Sequence, residues 1–145
     1  MFLGRYSHSI DSKSRLTIPA RYRAALASGA YVVQGFERNL MVYTTDAFQR
    51  LAQRADTHTM TDPEVRAMRR LMFGGAREVS LDSAGRILLP SFLKDYAKLG
   101  LDAVIVGAGE YFEIWDPDAW KKELISVTDS ETNIKRFAAF DLSTE

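Results

Sequence analysis

The stretch SIDSKSRLTIP, Ser9 to Pro19, returns at an offset of 71 as SLDSAGRILLP, Ser80 to Pro90, with Ser, Asp, Ser, Arg and Pro in the same places. With one extra residue in the second copy, the match continues from YVVQGFERNLMVYTTDAF (Tyr31 to Phe48) to AVIVGAGEYFEIWDPDAW (Ala103 to Trp120). There Gly35 meets Gly107, and Asp46-Ala47 meets Asp118-Ala119. Self-similarity carried over about forty residues marks two copies of one supersecondary unit. In each copy apolar side chains alternate with polar ones, as in Val79, Leu81 and then Ile87, Leu89, around a polar Asp-Ser-x-x-Arg segment. That pattern predicts strand, turn, strand. Gly85 can take positive φ without steric cost, and Asp82 can hydrogen-bond to backbone two residues ahead, so both support a tight turn. The turn aims the Arg that follows outward or along the hairpin.

Working outward, Pro19 and Pro90 stop the ladder and suit the first turn of a short helix, ARYRAALAS in one copy and SFLKDYAKLG in the other, with Gly29 and Gly100 at the ends. Two further strands follow in each copy, around Ala30 to Gly35 and Leu40 to Tyr43, then Ala103 to Gly107 and Tyr111 to Trp115. Each unit is β-α-β-β in outline. Neither is long enough to bury much surface alone, so the two are expected to interleave into one closed or nearly closed sheet. The fold class is therefore α+β, mainly β, with flanking helices. The expected boundaries are 5–47 for the first unit, 48–75 for an inter-repeat helical segment, 76–119 for the second unit and 120–145 for a helical tail. In the inter-repeat segment, Thr45 to Gln53 and Asp62 to Met72 have helical spacing. Asp62 stands as cap, Pro63 in the first position, and Val65, Met68, Leu71 and Met72 form an apolar stripe. After Trp120 the spacing is helical to about Ser126, then polar, with a last amphipathic piece IKRFAAF.

Composition narrows the function. The 145 residues are 46% apolar and 26% charged, close to the globular average. No apolar run approaches the ~20 residues of a membrane span, and MFLGRYSHSIDSK lacks a basic start followed by an apolar core, so a cytosolic protein is expected. Without cysteine there is no disulfide, thiolate nucleophile or Cys-based zinc site. Nineteen basic and nineteen acidic side chains cancel, but unevenly along the chain. Arg5, Lys13, Arg15, Arg21 and Arg23 face only Asp11 up to Ala25, whereas nine acids face four bases from Glu110 onward. Such asymmetry permits a local basic face for nucleic acid on a neutral protein.

Asp11 with Arg15 and Asp82 with Arg86 fit a simple salt bridge. Recurrence of DxxxR in both copies fits a second role: two arginines on one face can meet adjacent phosphates or guanine edges, for which the guanidinium fork is well shaped. The roles coexist if each Asp orients its Arg. Lys13, Arg5, Arg21 and Arg23 would extend the field. His8 and His58 have no metal-ligand spacing, and no Ser, His and Asp are arranged as a triad, so neither metal, cofactor nor catalysis is expected. Glu110, Glu113, Asp116 and Asp118 have a spacing open to a hard cation but fit a solvated edge. GAGE, Gly107 to Glu110, lacks the full GxGxxG and is expected to be a turn, and Tyr43, Trp115 and Trp120 are expected in the core.

Taken together, the N-terminal MF.G, IDSKSRLTIPARYR, the central EVRAMRRLMFGGA, LDSAGRILLP and EIWDPDAW resemble the MraZ family, in order and over nearly the whole chain to about Ser126. The resemblance implies two tandem SpoVT/AbrB-type units forming a swapped-hairpin barrel. It also implies a nucleoid-associated bacterial transcriptional regulator that binds, as a ring of subunits, short direct repeats in double-stranded DNA upstream of the division and cell-wall gene cluster. No small-molecule substrate is expected. The family's DxxxR residues carry over to Asp11 with Arg15 and Asp82 with Arg86. The first copy has Ser14 where the pattern usually has Gly, so either Ser14 is strained at positive φ or the first turn is of another type. Two other functions share the architecture. An antitoxin-like module would wrap a partner with its C-terminal arm, and a pyruvoyl-type barrel enzyme would need a Gly-Ser bond, which the sequence lacks.

Overall fold

A computed structural model describes residues 1–144. The first copy contributes β1 (Arg5–Ser9), β2 (Arg15–Thr17), α1 (Ala20–Arg23) running into a 3-10 turn at Ala24–Leu26, β3 (Ala30–Gln34) and β4 (Leu40–Thr44). The second contributes β5 (Arg77–Val79), β6 (Arg86–Leu88), α4 (Ser91–Tyr96), β7 (Asp102–Gly107) and β8 (Tyr111–Trp115). Between them lie α2 (Thr45–Ala55) and α3 (Pro63–Met72), and α5 (Pro117–Val127) and α6 (Ser130–Arg136) follow. The expected order of elements is present throughout.

Pairing is where the two copies become one body. The strands form an antiparallel sheet in the order β1-β7-β8-β4-β3-β5, with β2 and β6 as a separate two-stranded ribbon. β1 leaves its own copy to pair with β7, β5 pairs with β3, β4 with β8 and β2 with β6. Exchanging the copies reverses the order of the sheet, so a pseudo-two-fold axis runs between β4 and β8 and through the ribbon. The strand-turn-strand segments are therefore not ordinary hairpins. In the first copy a single bridge, Ile10 to Leu16, joins the two arms before each turns to the other copy. The interleaving leaves β1 and β5 as edges, so among the described residues no continuous ring of strand pairing closes the barrel.

Period-two alternation explains what is buried. Leu16, Ile18, Ile87 and Leu89 point inward from the ribbon, while Val32, Val42, Ile105, Phe112 and Ile114 point inward from the sheet. Tyr22, Leu26 and Leu93 of the short helices fill the space between. The opposite face of the sheet packs Val33, Met41 and Tyr43 under Phe48 and Leu51 of α2 and Met68 and Met72 of α3. Thr44 caps α2 through Ala47 N–H, and Asp62 caps α3 through Glu64 N–H. Trp115 and Trp120 are buried against each other, their rings 5.5 Å apart.

Local chemistry shifts two of the expected ends. Gly29 closes the first helical segment at φ 99°, but α4 stops at Tyr96 and the left-handed residue is Lys98, at φ 55°, rather than Gly100. Asp129 accepts from Thr132 N–H and caps α6, so Ser130 to Asn133 of the polar stretch are helical and the helix ends at Arg136 within IKRFAAF.

Candidate nucleic-acid interface

In both copies the aspartate is the hub of its turn. Asp11 Oδ1 accepts the backbone N–H groups of Lys13 and Arg15, each at 2.9 Å, and Oδ2 accepts Arg15 Nε–H at 2.7 Å. Asp82 accepts those of Ala84 and Arg86 at Oδ1 and Arg86 Nε–H at Oδ2, each at 2.9 Å. The chain closes with Ser14 N–H to Asp11 O and Gly85 N–H to Asp82 O, both 3.0 Å. To complete that geometry the residue before each arginine is left-handed, Ser14 at φ 63° and Gly85 at φ 76°. The two turns are thus alike, and Ser14 is strained by roughly 1 kcal/mol or more.

Both carboxyls titrate below the ordinary carboxylate value. The backbone N–H of the paired arginine is the largest cause, opposed by partial desolvation and aided by the guanidinium and the N–H two residues after the Asp.

Contacts across the pseudo-two-fold bring the turns together. Leu89 N–H donates to Ser14 O at 2.8 Å, and Ile18 N–H to Gly85 O at 2.9 Å, so each turn is tied to the strand of the other copy. Arg86 Nη1 reaches Asp11 Oδ2 at 3.4 Å, and Asp11 therefore touches both arginines. Arg23 donates to Ile18 O and lies over Gly85, where an added Cβ would stand 2.4 Å from Arg23 Nε. Lys94 Nζ donates to Ser14 Oγ at 3.0 Å. Sequence pattern by itself does not single out Lys94, although the offset of 71 that relates the turns also takes Arg23 to Lys94.

Arg15 and Arg86 thus contact the two carboxylates directly, while Lys13 lies in the first turn, Lys94 bonds to Ser14 and Arg23 lies over Gly85. On the ribbon, Arg15 stands opposite Leu88 and Thr17 opposite Arg86, all pointing away from buried Leu16 and Ile87. Arg15 and Arg86 keep 33% and 29% of their side chains exposed. Arg5 stands apart. It lies at the far end of β1, about 20 Å of extended chain from Asp11, with its guanidinium 5.5 Å over the Trp120 ring.

The other candidates are scattered. His8 lies on β1 stacked with Tyr6, and His58 is exposed after α2. Asp116 caps α5, Glu113 accepts from Trp115 Nε1, and Glu110 pairs with Arg50. Gly107 ends β7 and Ala108 to Glu110 make the turn into β8, with Gly109 at φ 90° bridged to Phe2. Among the described residues no helix is long and apolar enough to cross a membrane.

Fold and site together define a class: a tandem-repeat protein whose two copies swap strands and join their Asp–Arg turns on one ribbon. Comparison with known proteins is more specific. A family described as "MraZ protein, putative antitoxin-like" matches residues 1–71 and again 72–139. A protein of Herpetosiphon aurantiacus named transcriptional regulator MraZ is 43% identical over 129 residues, covering 89% of this chain and 90% of its own length. Its namesake in Roseiflexus castenholzii is 42% identical, covering 92% and 93%. That of Mycobacterium tuberculosis is 45% identical, covering 83% and 85%. The chain belongs to the MraZ family.

Proposed function

We propose that the protein is a transcriptional regulator that binds double-stranded DNA in a sequence-specific way, without catalysis, through the ribbon and its two turns. The observation that carries this reading is the paired geometry. Each arginine is anchored through Nε to an aspartate, which holds the guanidinium in place for a phosphate or a guanine edge. Lys13, Arg23 and Lys94 supply the surrounding positive field. Arg5 adds to it only at long range. The family resemblance supports short direct repeats upstream of the division and cell-wall gene cluster as the target, engaged at the nucleoid by a ring of subunits. A gel-shift assay on the region upstream of the protein's own gene tests the reading. Retarded DNA is expected, and the retardation is expected to weaken steeply with salt as counterions return to the phosphates.

A specific observation also keeps the antitoxin-like alternative open to test. Ile134, Phe137, Phe140 and Leu142 in the C-terminal tail are half or more exposed. If they wrap a partner protein, removing the tail abolishes that capture and leaves DNA binding intact.

A further inference from the structure

The ribbon carries one side chain that neither electrostatics nor packing explains. Leu88 is 59% exposed, although its neighbours Ile87 and Leu89 are each 1% exposed in the core. It stands directly opposite Arg15, on the outward side of the ribbon, and its repeat mate at the offset of 71 is Thr17, opposite Arg86. Opposed side chains in an antiparallel pair are about 5 Å apart and successive same-face residues about 7 Å. The four outward residues therefore make a small quadrilateral, with the arginines on one diagonal and Thr17 and Leu88 on the other. A two-stranded ribbon of this kind fits the major groove of B-form DNA, and the only apolar feature on a base edge there is the thymine methyl.

We infer that Leu88 is a specificity-determining residue that packs on a thymine methyl. The arginine diagonal is unchanged when the copies exchange, so by itself it would fit DNA equally well either way round. Thr17 presents a hydroxyl and a methyl where Leu88 presents only hydrocarbon, so the second diagonal breaks that symmetry. Leu88 thereby fixes which way the pseudo-symmetric ribbon faces along its site, which reading a repeat in one direction requires. With 59% of its surface in water, the Leu88 side chain gains free energy when a methyl covers it.

This inference rests on the DNA-binding reading, and deoxyuridine separates the two. Deoxyuridine differs from thymidine only in lacking the methyl, so it leaves the charge and hydrogen-bonding groups of the site intact. The probe is the duplex that the full-length protein itself selects from a random-sequence library, with each thymine replaced in turn. Loss of one methyl contact is expected to weaken wild-type binding about fourfold at one position. Leu88→Ala is expected to bind the parent duplex with a similar loss and to ignore the replacement at that position, whereas Thr17→Ala keeps the sensitivity. Arg15→Ala and Arg86→Ala lose affinity on every duplex. If no replacement matters to the wild type, or if Leu88→Ala responds as the wild type does, the Leu88 contact is wrong while DNA binding stands. A fall in oligomer mass for Leu88→Ala would assign the side chain to a subunit interface instead. Failure to select any duplex would overturn both readings.

Discussion

Arg15 and Arg86 occupy repeat-related positions but are not held equally. Arg86 is shared by Asp82 and Asp11, whereas among the described residues Arg15 pairs with Asp11 alone. Arg15→Ala and Arg86→Ala are each expected to weaken binding to the upstream DNA by ~1 to 3 kcal/mol if a base contact is lost, or to lower the salt slope by about one if a phosphate contact is lost. Circular dichroism should show the fold intact, because both side chains lie outside the core. Unchanged affinity in both variants would remove the ribbon from the DNA interface.

The turn residues make a paired stability prediction. Ser14→Gly relieves left-handed strain but gives the unfolded chain more freedom and loses the Lys94 contact. The balance is expected to be a small stabilisation of about 0.5 kcal/mol, read as a rise of about 1–2 °C in Tm. Gly85→Ala instead adds left-handed strain and collides with Arg23, so it should lower Tm by several degrees.

The aspartates carry a pH signature. Their folded pKa values are depressed, so their contribution to stability is complete above the unfolded value, near the ordinary 3.8, and is lost as pH falls through the folded values. Asp11→Asn and Asp82→Asn should therefore lower Tm at neutral pH, with the gap to wild type closing in strong acid. Asp11→Asn should be the more severe because Asp11 engages both arginines.

At the scale of elements, no first strand of either copy finds its main partner at home. β1 needs β7, β5 needs β3, and each arm of the ribbon needs the other. A fragment carrying residues 1–75 alone is expected to be unfolded, or to dimerise so that a second fragment supplies the missing strands, and analytical ultracentrifugation with circular dichroism would distinguish these from a folded monomer. The tail is of a different kind. No residue of α6 is buried, and Arg136 bonds to Ser126 and Asn133 and lies over the Phe137 ring, all within the tail. Truncation after Thr128 should leave both Tm and DNA affinity nearly unchanged, in contrast to any truncation that removes Trp120.

For the whole molecule, neutrality sets the problem. One subunit offers a handful of cations, too few for tight binding at physiological salt. The basic excess near the N-terminus and the acidic excess after Glu110 suit head-to-tail contacts between subunits, which close into a ring when the rotation permits. On one rigid scaffold, weak sites that match the repeat spacing gain roughly 10² to 10⁴ in avidity. Light scattering is expected to give a mass several times 16.3 kDa. Half a helical turn inserted between DNA repeats should sharply weaken binding, and a full turn should restore much of it. A monomer in solution, or indifference to spacing, would exclude this arrangement.

The sequence by itself determined the repeat, the order of the elements, the apolar positions of the ribbon and the identity of both DxxxR turns. Each of these is a local pattern, set by alternation, capping and turn chemistry within a few residues. It left open whether Ser14 shares the backbone of Gly85, because an L residue enters the left-handed region only when surrounding contacts compensate for the strain, and those come from Leu89 and Lys94. It also grouped Arg5 with the turn cations, since position along a chain does not reveal that Arg5 lies at the far end of β1, over the Trp120 ring. Only the tertiary structure decided that Asp11 binds Arg86, that Arg23 guards Gly85 and that Leu88 faces outward beside Arg15. These contacts join residues about seventy positions apart, and such pairs meet only when packing of the shared core fixes how the two copies interleave.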